Sequence, residues 1–216
     1  MANPFDRYAD RYDAWFESPV GRAIFRAEVR CIEPLLSGCP EPRLEVGVGT
    51  GRFARSLRIS HGVDPADAAL RRAEMRGIEV TRAPAEALPF DDGAFSAVAM
   101  IVTVMFVDDP AAGFREAARV LRGDGCLIVG DVDANSPWGR AYIRDAMGGH
   151  PFFSHATFFT PDQIVQMAVG AGFELAESRS ALPEGPEELS LPIAEPVDGM
   201  LEDYGFKAMK FLKTGV

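Results

Sequence analysis

The stretch Leu44-Glu45-Val46-Gly47-Val48-Gly49-Thr50-Gly51-Arg52-Phe53-Ala54 carries a short apolar run into three alternating glycines and out into a polar, arginine-rich segment. A brief β-branched run closed by glycine reads as a buried strand (44–48), and Phe53, Ala54 and Leu57 on one side of the following segment read as a helix. A plain strand-to-helix turn needs one glycine. Three on alternate positions remove side chains where a ligand must approach, and the helix beyond offers free N–H groups to a carboxylate or phosphate. The reading is therefore a ligand loop, with Glu45 an acid set inside the strand that leads to it.

Working outward, the same strand-then-helix order repeats. RISHGVD ends a short strand at Asp64, with Pro65 expected to open a helix that Asp64 caps. Further strands are expected at 79–83, 95–102 and 126–132. The helix between the last two opens at Asp109-Pro110, places Phe114, Ala117, Ala118 and Leu121 on one face, and is expected to stop at Gly123-Asp124-Gly125. Short parallel strands joined by crossover helices make a doubly wound α/β domain whose ligand site lies at the strand C-termini. Two helices precede this core, from Asp6 to about Leu36, broken near Ser18-Pro19. After it, Thr160-Pro161-Asp162-Gln163 starts a helix that Gly170 and Gly172 end. Segments 173–182 and 206–214 read as strands paired antiparallel at one edge of the sheet. The proline-rich, acidic connection between them, 183–205, holds no Lys or Arg before Lys207 and is expected to be mobile and solvated.

Composition narrows the function. The 216 residues are 47% hydrophobic, enough for one domain with a sizeable core, and a net charge of −10 argues against nucleic acid as the main partner. Cys31, Cys39 and Cys126 form no CxxC pair, so neither a disulfide framework nor a zinc site is expected, and a reducing, cytoplasmic setting fits. His150 and His155 have no adjacent third ligand, which speaks against a metal site. The longest apolar stretch, 95–107, is shorter than the roughly 20 residues of a membrane span, so no membrane insertion is expected. The N-terminus lacks the basic start and apolar run of a signal peptide and is expected to stay on the mature protein.

Gly49-Thr50-Gly51-Arg52-Phe53-Ala54 also fits the looser dinucleotide fingerprint of an NAD(P)-dependent oxidoreductase. Two features pull away from it: Glu45 inside the strand, and an acidic strand end only 15 residues after Gly49, where about 20 are expected for dinucleotide binding. That register suits a smaller nucleoside, with Asp64 receiving two ribose hydroxyls.

With these motifs in this order, the chain resembles the class I S-adenosylmethionine-dependent methyltransferases, in particular the small-molecule group that includes the ubiquinone and menaquinone biosynthesis enzymes. LEVGVGTGRFA looks like the family's first motif, GVDPADAAL its acidic second-strand end, APAEALPFDDGAFSAVAM its third region and VDDPAAGFREAARVLRGDGCLIVGDV its fourth and fifth. The resemblance implies a Rossmann-like, seven-stranded, mainly parallel sheet with an antiparallel edge strand, in a single domain over 1–216. Residues 1–40 would form an N-terminal helical lid, 41–135 the cofactor-binding core, and 136–216 the acceptor-side helices and C-terminal strands. It implies that Gly47, Gly49 and Gly51 border the methionine part of the cofactor beside Glu45, and that Asp64, with Pro65, holds the ribose. Ala85 and Glu86 would lie by the adenine, and Ile101 and Val102 would line the sulfonium end.

Two positions depart from the family pattern. Pro84 stands where relatives often carry an adenine-accepting aspartate, shifting that role to backbone and Glu86, and Met105 stands where many carry a histidine. A thioether is no general base, and core packing is the plainer reading of Met105. In relatives the N-terminal segment folds over the cofactor, so Tyr8 and Tyr12 are expected at the site, Tyr12 among the catalytic candidates, while Trp15 and Phe16 divide evenly between lid and core. The acceptor wall is expected from Phe152, Phe153, His155, Phe158 and Phe159, with His155 the candidate base. Asp131 and Asp133 can orient an amine or hydroxyl, or be solvated loop residues. The expected reaction is methyl transfer from S-adenosyl-L-methionine to a small-molecule acceptor by in-line displacement, driven mainly by positioning, with S-adenosyl-L-homocysteine as product. An NAD(P)-dependent oxidoreductase and a non-catalytic S-adenosylmethionine-binding protein are the alternatives.

Overall fold

The computed structural model describes the backbone of residues 4–214 and, within the first helix, the side chains of Asp6, Ala9, Asp10, Arg11 and those from Asp13 onward. In chain order the elements are α1 (Pro4–Trp15), α2 (Pro19–Ile32), β1 (Arg43–Val46), α3 (Arg52–Leu57), β2 (His61–Asp64), α4 (Asp67–Met75) and β3 (Glu79–Arg82). There follow β4 (Phe95–Ile101), α5 (Pro110–Val120), β5 (Leu121–Val132), α6 (Pro137–Met147), α7 (Pro161–Gly170), β6 (Phe173–Ala181), β7 (Val197–Asp198) and β8 (Phe206–Lys213). Short 3-10 turns occupy 33–36, 104–106 and 153–155.

The strands form one sheet in the order β3-β2-β1-β4-β5-β8-β6-β7. The first five are parallel, and β8 runs antiparallel between β5 and β6. The mainly parallel, doubly wound sheet with reversed pairing at one side is the expected one. Its eighth strand, β7, is a two-residue addition beyond β6 that carries too little pattern to be read.

Four helices begin the same way. Ser18, Asp109, Ser136 and Thr160 each accept a backbone N–H of the first turn and are each followed by proline, whose missing N–H has no helical partner to lose. Thr160 and Gln163 close a full capping box. Every residue of β4 is buried, and its alternation feeds two cores. Ala97, Ala99 and Ile101 pack with Ile24, Ile32, Phe53 and Leu57 from α2 and α3, whereas Val98 and Met100 pack with Phe114, Ala117 and Ile164 from α5 and α7.

Three expectations are corrected. Helix α5 ends at Val120 rather than at the later glycines, because β5 already starts at Leu121 and pairs with Phe95 before a register shift. Pro65 does not open α4 and Asp64 does not cap it: the helix begins at Asp67, since both Asp64 oxygens are taken up by the backbone N–H groups of Gly49 and Ala66. Segment 183–205 is fastened down, not free. Trp138 Nε1 donates to the Glu184 carbonyl (2.6 Å), Arg30 pairs with Glu195 (2.5 Å), and Ile193 is buried. Cys39 and Cys126, unrelated by spacing, are free thiols whose Sγ atoms lie 2.9 Å apart.

Candidate active site

The glycine loop leaves β1 with its backbone fastened to β2: the N–H groups of Gly47 and Val48 both donate to the Val63 carbonyl, at 2.8 and 3.0 Å. Gly47 (φ +73°) is seated on Thr103, whose side chain would collide with any added Cβ; Gly51 (φ +79°) is pressed likewise against Ala73, 2.8 Å away. Those two glycines are required by packing. Gly49 differs, because a Cβ there would meet only the Gly47 carbonyl at 4.0 Å. The loop therefore presents open space above its middle glycine, where a ligand can approach.

Two buried acids flank that space. Asp64 Oδ2 accepts the Gly49 N–H (2.9 Å) and Oδ1 the Ala66 N–H (2.8 Å), leaving each oxygen a second lone pair. Burial pushes its pKa up, partly opposed by those two N–H groups. Glu45 is almost wholly buried; the Ala54 N–H approaches its carboxyl, yet Oε2 has no hydrogen-bond partner. Desolvation raises its pKa well above the ordinary carboxylate value. An orphaned buried oxygen beside an open glycine loop is a place a ligand donor would satisfy.

At the exit of β4, Ile101 is core, whereas Val102 is half-buried and held at φ +49°. A β-branched residue in that region is strained, and the strain is retained by the Val102 N–H to Gly130 carbonyl bond (2.7 Å). Ala85 is buried against the core, with Gly113 of α5 beside it. The Glu86 carboxylate accepts the Asp109 N–H (3.0 Å), so part of its acceptor capacity goes to the start of α5. Pro65 is exposed. Met105 is buried in the core, as the packing reading had it, and its carbonyl accepts the Thr157 N–H (2.8 Å), which draws the 152–159 segment across the β4 exit. Phe153 stacks on Tyr142 (4.3 Å) and His150 (4.5 Å), with Phe158 edge-on at 6.1 Å, and His155 is exposed on this rim.

Asp131 and Asp133 are buried rather than solvated. Asp133 pairs with the equally buried Lys207 (3.7 Å). Asp131 Oδ1 accepts the Val132 N–H (2.8 Å) and the Met105 N–H approaches the carboxyl, but Oδ2 is left without a partner. Burial lifts its pKa to about 7. Glu28, buried on α2, is lifted to about 8 by burial and, secondarily, by the charge of Asp131. Among the described residues, no group of three or more His, Cys, Asp or Glu is placed to hold a metal ion, and no helix is long and apolar enough to cross a membrane.

The first helix, α1, lies against α4 and the glycine loop. The side chains of Tyr8 and Tyr12 lie outside the described residues. Phe16 is core, edge-on to Phe25, while Trp15 is largely exposed. What sequence reasoning missed is the acidic side of this helix. Asp6, Asp10, Asp13 and Glu17 recur at helical spacing and meet, in turn, the Ala68 N–H, Arg72, a group of three arginines with Thr50, and Arg52. The period was visible; its partners, 35 to 63 positions away, were not.

Comparison with known proteins agrees with this geometry. A family described as methyltransferase domain matches residues 44–129. A S-adenosylmethionine-dependent methyltransferase structure from Thermotoga maritima, described as a possible histamine N-methyltransferase, superposes with a TM-score of 0.90 at 36% identity, covering 99% of this chain and 100% of that one. The demethylmenaquinone methyltransferase of Thermotoga maritima is 30% identical over 199 residues, 80% of this chain and 87% of the relative. An uncharacterized protein of Mycobacterium tuberculosis (strain ATCC 25618 / H37Rv) is 40% identical over 203 residues, 94% of this chain and 71% of the relative. With the glycine loop, the acidic β2 end and the sheet order all in place, the chain belongs to the S-adenosylmethionine-dependent methyltransferases.

Proposed function

We propose that the protein binds S-adenosyl-L-methionine across Gly47–Gly51 and Asp64 and methylates a small-molecule amine entering over the exits of β4 and β5. The observation that carries the binding half is the orphaned Glu45 Oε2 in the strand that leads to the open Gly49: an ammonium-bearing ligand would supply the missing donor. Asp64 retains lone pairs for a ribose diol, and Ala85 and Glu86 border the adenine side. The residues thus fit the cofactor. Bound S-adenosylmethionine supplies a methyl on a positively charged sulfur, open to in-line attack.

The chain's own task is then to hold the acceptor nitrogen and to take its proton. Buried carboxyls with raised pKa values suit both, because a group poised near neutral pH holds an ammonium and accepts its proton within the working range. Asp131, with Oδ2 unpaired, is the proposed residue for this, seconded by Glu28. His155, on the exposed rim, and Tyr12, on the lid, complete the acceptor side of the proposal. The description of the Thermotoga maritima structure as a possible N-methyltransferase supports an amine over the quinone-type acceptor of the demethylmenaquinone enzymes.

Calorimetry with S-adenosylmethionine, S-adenosylhomocysteine and NADH tests the cofactor: affinity for the first two alone is expected, and binding of NADH alone overturns the reading. S-adenosylhomocysteine release is then followed with histamine and tyramine against their neutral counterparts, imidazole-4-ethanol and 4-ethylphenol. Turnover of the amines only is expected. Cofactor binding with no turnover of either pair would favour a non-catalytic binder.

A further inference from the structure

Asp13 is the acid of α1 that touches the glycine loop. Its Oδ1 accepts from the Thr50 hydroxyl (3.0 Å) and from Arg52 Nε (2.6 Å), and its Oδ2 from Arg76 (2.7 Å), with Arg72 at 3.4 Å. Its backbone carbonyl takes a further bond from Arg52 (3.0 Å). Arg76 also donates to the Thr50 carbonyl (2.5 Å), so the loop residue between Gly49 and Gly51 is held from both its side chain and its backbone. One carboxylate thus joins three separate elements, α1, α3 and α4, at the loop itself. The carboxyl is only about one-eighth exposed, which strengthens each of these charge-assisted bonds relative to an open surface pair. Burial alone would raise its pKa, but the bonds from Arg52, Arg76 and Thr50, with the charge of Arg76, outweigh burial and hold it below the ordinary carboxylate value. Among the described residues, the further polar contacts of α1 to this surface lie further out: Asp6 at Ala68, and Asp10 at Arg72, where Asp10 is mostly exposed.

We propose that Asp13 is the latch of the lid: it fastens α1 over the glycine loop and sets the rate at which S-adenosylmethionine and S-adenosylhomocysteine pass to and from the site. The inference rests on the cofactor reading above and assigns Asp13 a positioning role through Thr50, without contact with the reacting atoms. Asp13 ties α1 to the loop residue next to the open Gly49, so opening the latch is expected to speed entry and exit together. A residue that merely stabilised the fold would change the melting temperature, and one that touched the ligand would change affinity; a latch changes both rates and leaves their ratio nearly constant.

The test is stopped-flow binding of S-adenosylhomocysteine to the full chain, wild type against Asp13→Ala and Asp13→Asn, with Glu17→Gln as control. Glu17 pairs with Arg52 and Arg22 but not with the loop. For Asp13→Ala, association and dissociation rates both rise about tenfold, the factor expected for losing a net charged hydrogen bond, while Kd moves less than about threefold. Raising the salt concentration accelerates dissociation from wild type and not from Asp13→Ala, because the latch is ionic. Should Asp13→Ala fold poorly, Thr50→Val removes only the hydroxyl bond and is expected to accelerate both rates in the same sense. Unchanged rates in folded Asp13→Ala or Thr50→Val, or an affinity loss carried by dissociation alone, overturn the latch. Wild type that binds no S-adenosylhomocysteine overturns the cofactor reading itself, and the latch with it.

Discussion

Replacing Glu28 by glutamine should make the protein more resistant to unfolding at alkaline pH while leaving it nearly unchanged in acid. Glu28 is buried on the sheet-facing side of α2. Burial and the neighbouring Asp131 lift its pKa from 4.5 to about 8. An acid whose pKa is raised on folding stabilises the fold fully below the unfolded value, and that stability is lost as pH climbs to the folded value. Between those limits the native state holds a proton that the unfolded state has released, so stability falls by about 1.4 kcal/mol per pH unit. From pH 6 to pH 9 the slope runs over roughly two units before Glu28 ionises in the native state as well, giving a loss of about 2–3 kcal/mol. Glutamine mimics the protonated carboxyl and has no proton to lose. Urea unfolding of wild type and Glu28→Gln at pH 6, 7, 8 and 9 reads the difference directly, provided the m-values agree. The gap should widen by about 2–3 kcal/mol between pH 6 and pH 9. Curves that stay parallel across the range would refute the reasoning, since they would mean that Glu28 is solvated or paired in solution.

Asp64→Ala should weaken S-adenosylhomocysteine binding about 10- to 100-fold in calorimetry, by removing the acceptor and unseating the Gly49 N–H; unchanged affinity removes Asp64 from the site. Gly47→Ala should cost about 2–4 kcal/mol in urea unfolding, because the new methyl enters the Thr103 side chain at a positive φ, and a cost under about 0.5 kcal/mol would show that the seat yields. Brief iodoacetamide treatment at pH 7 should alkylate Cys39 first: the sulfur of Cys126 stabilises its thiolate, with Lys210 and Arg43 adding to the effect. Cys31, pushed up to about 12 by burial, and Cys126, pushed up by its bond to Cys39 and by burial, should both react later; peptide mass spectrometry showing either of them labelled first would contradict the assignment.

What could be read from the sequence was whatever obeys local rules. Parallel strands of apolar composition, proline-led helix starts at Pro110 and Pro161, and the glycine loop each depend on a few neighbouring residues, and each is found close to where it was expected. Ser136-Pro137 carried the same start signal and went unread. Boundaries failed where a distant partner decides them: Leu121 leaves its helix because Phe95 is there to pair with it, and Asp64 gives up capping because Gly49 needs an acceptor. The site divides in the same way. Gly47, Gly49, Gly51 and Asp64 announce themselves by type and order, whereas Thr103 beneath Gly47, Asp13 on Thr50 and the burial of Glu28 exist only once segments far apart in the chain have met.

The place of β8 in the sheet bears on how the protein is made. Every strand of the parallel half leaves the ribosome before it, yet β8 is the piece that joins β5 to β6. Until Phe206–Lys213 has been synthesised, β5 presents an open apolar edge, and β6 with its small partner β7 lacks the strand that joins it to the sheet. A nascent chain stalled after α7 would therefore expose the edge from Cys126 to Val132 to other unfinished chains, and release from that hazard comes only with the last strand.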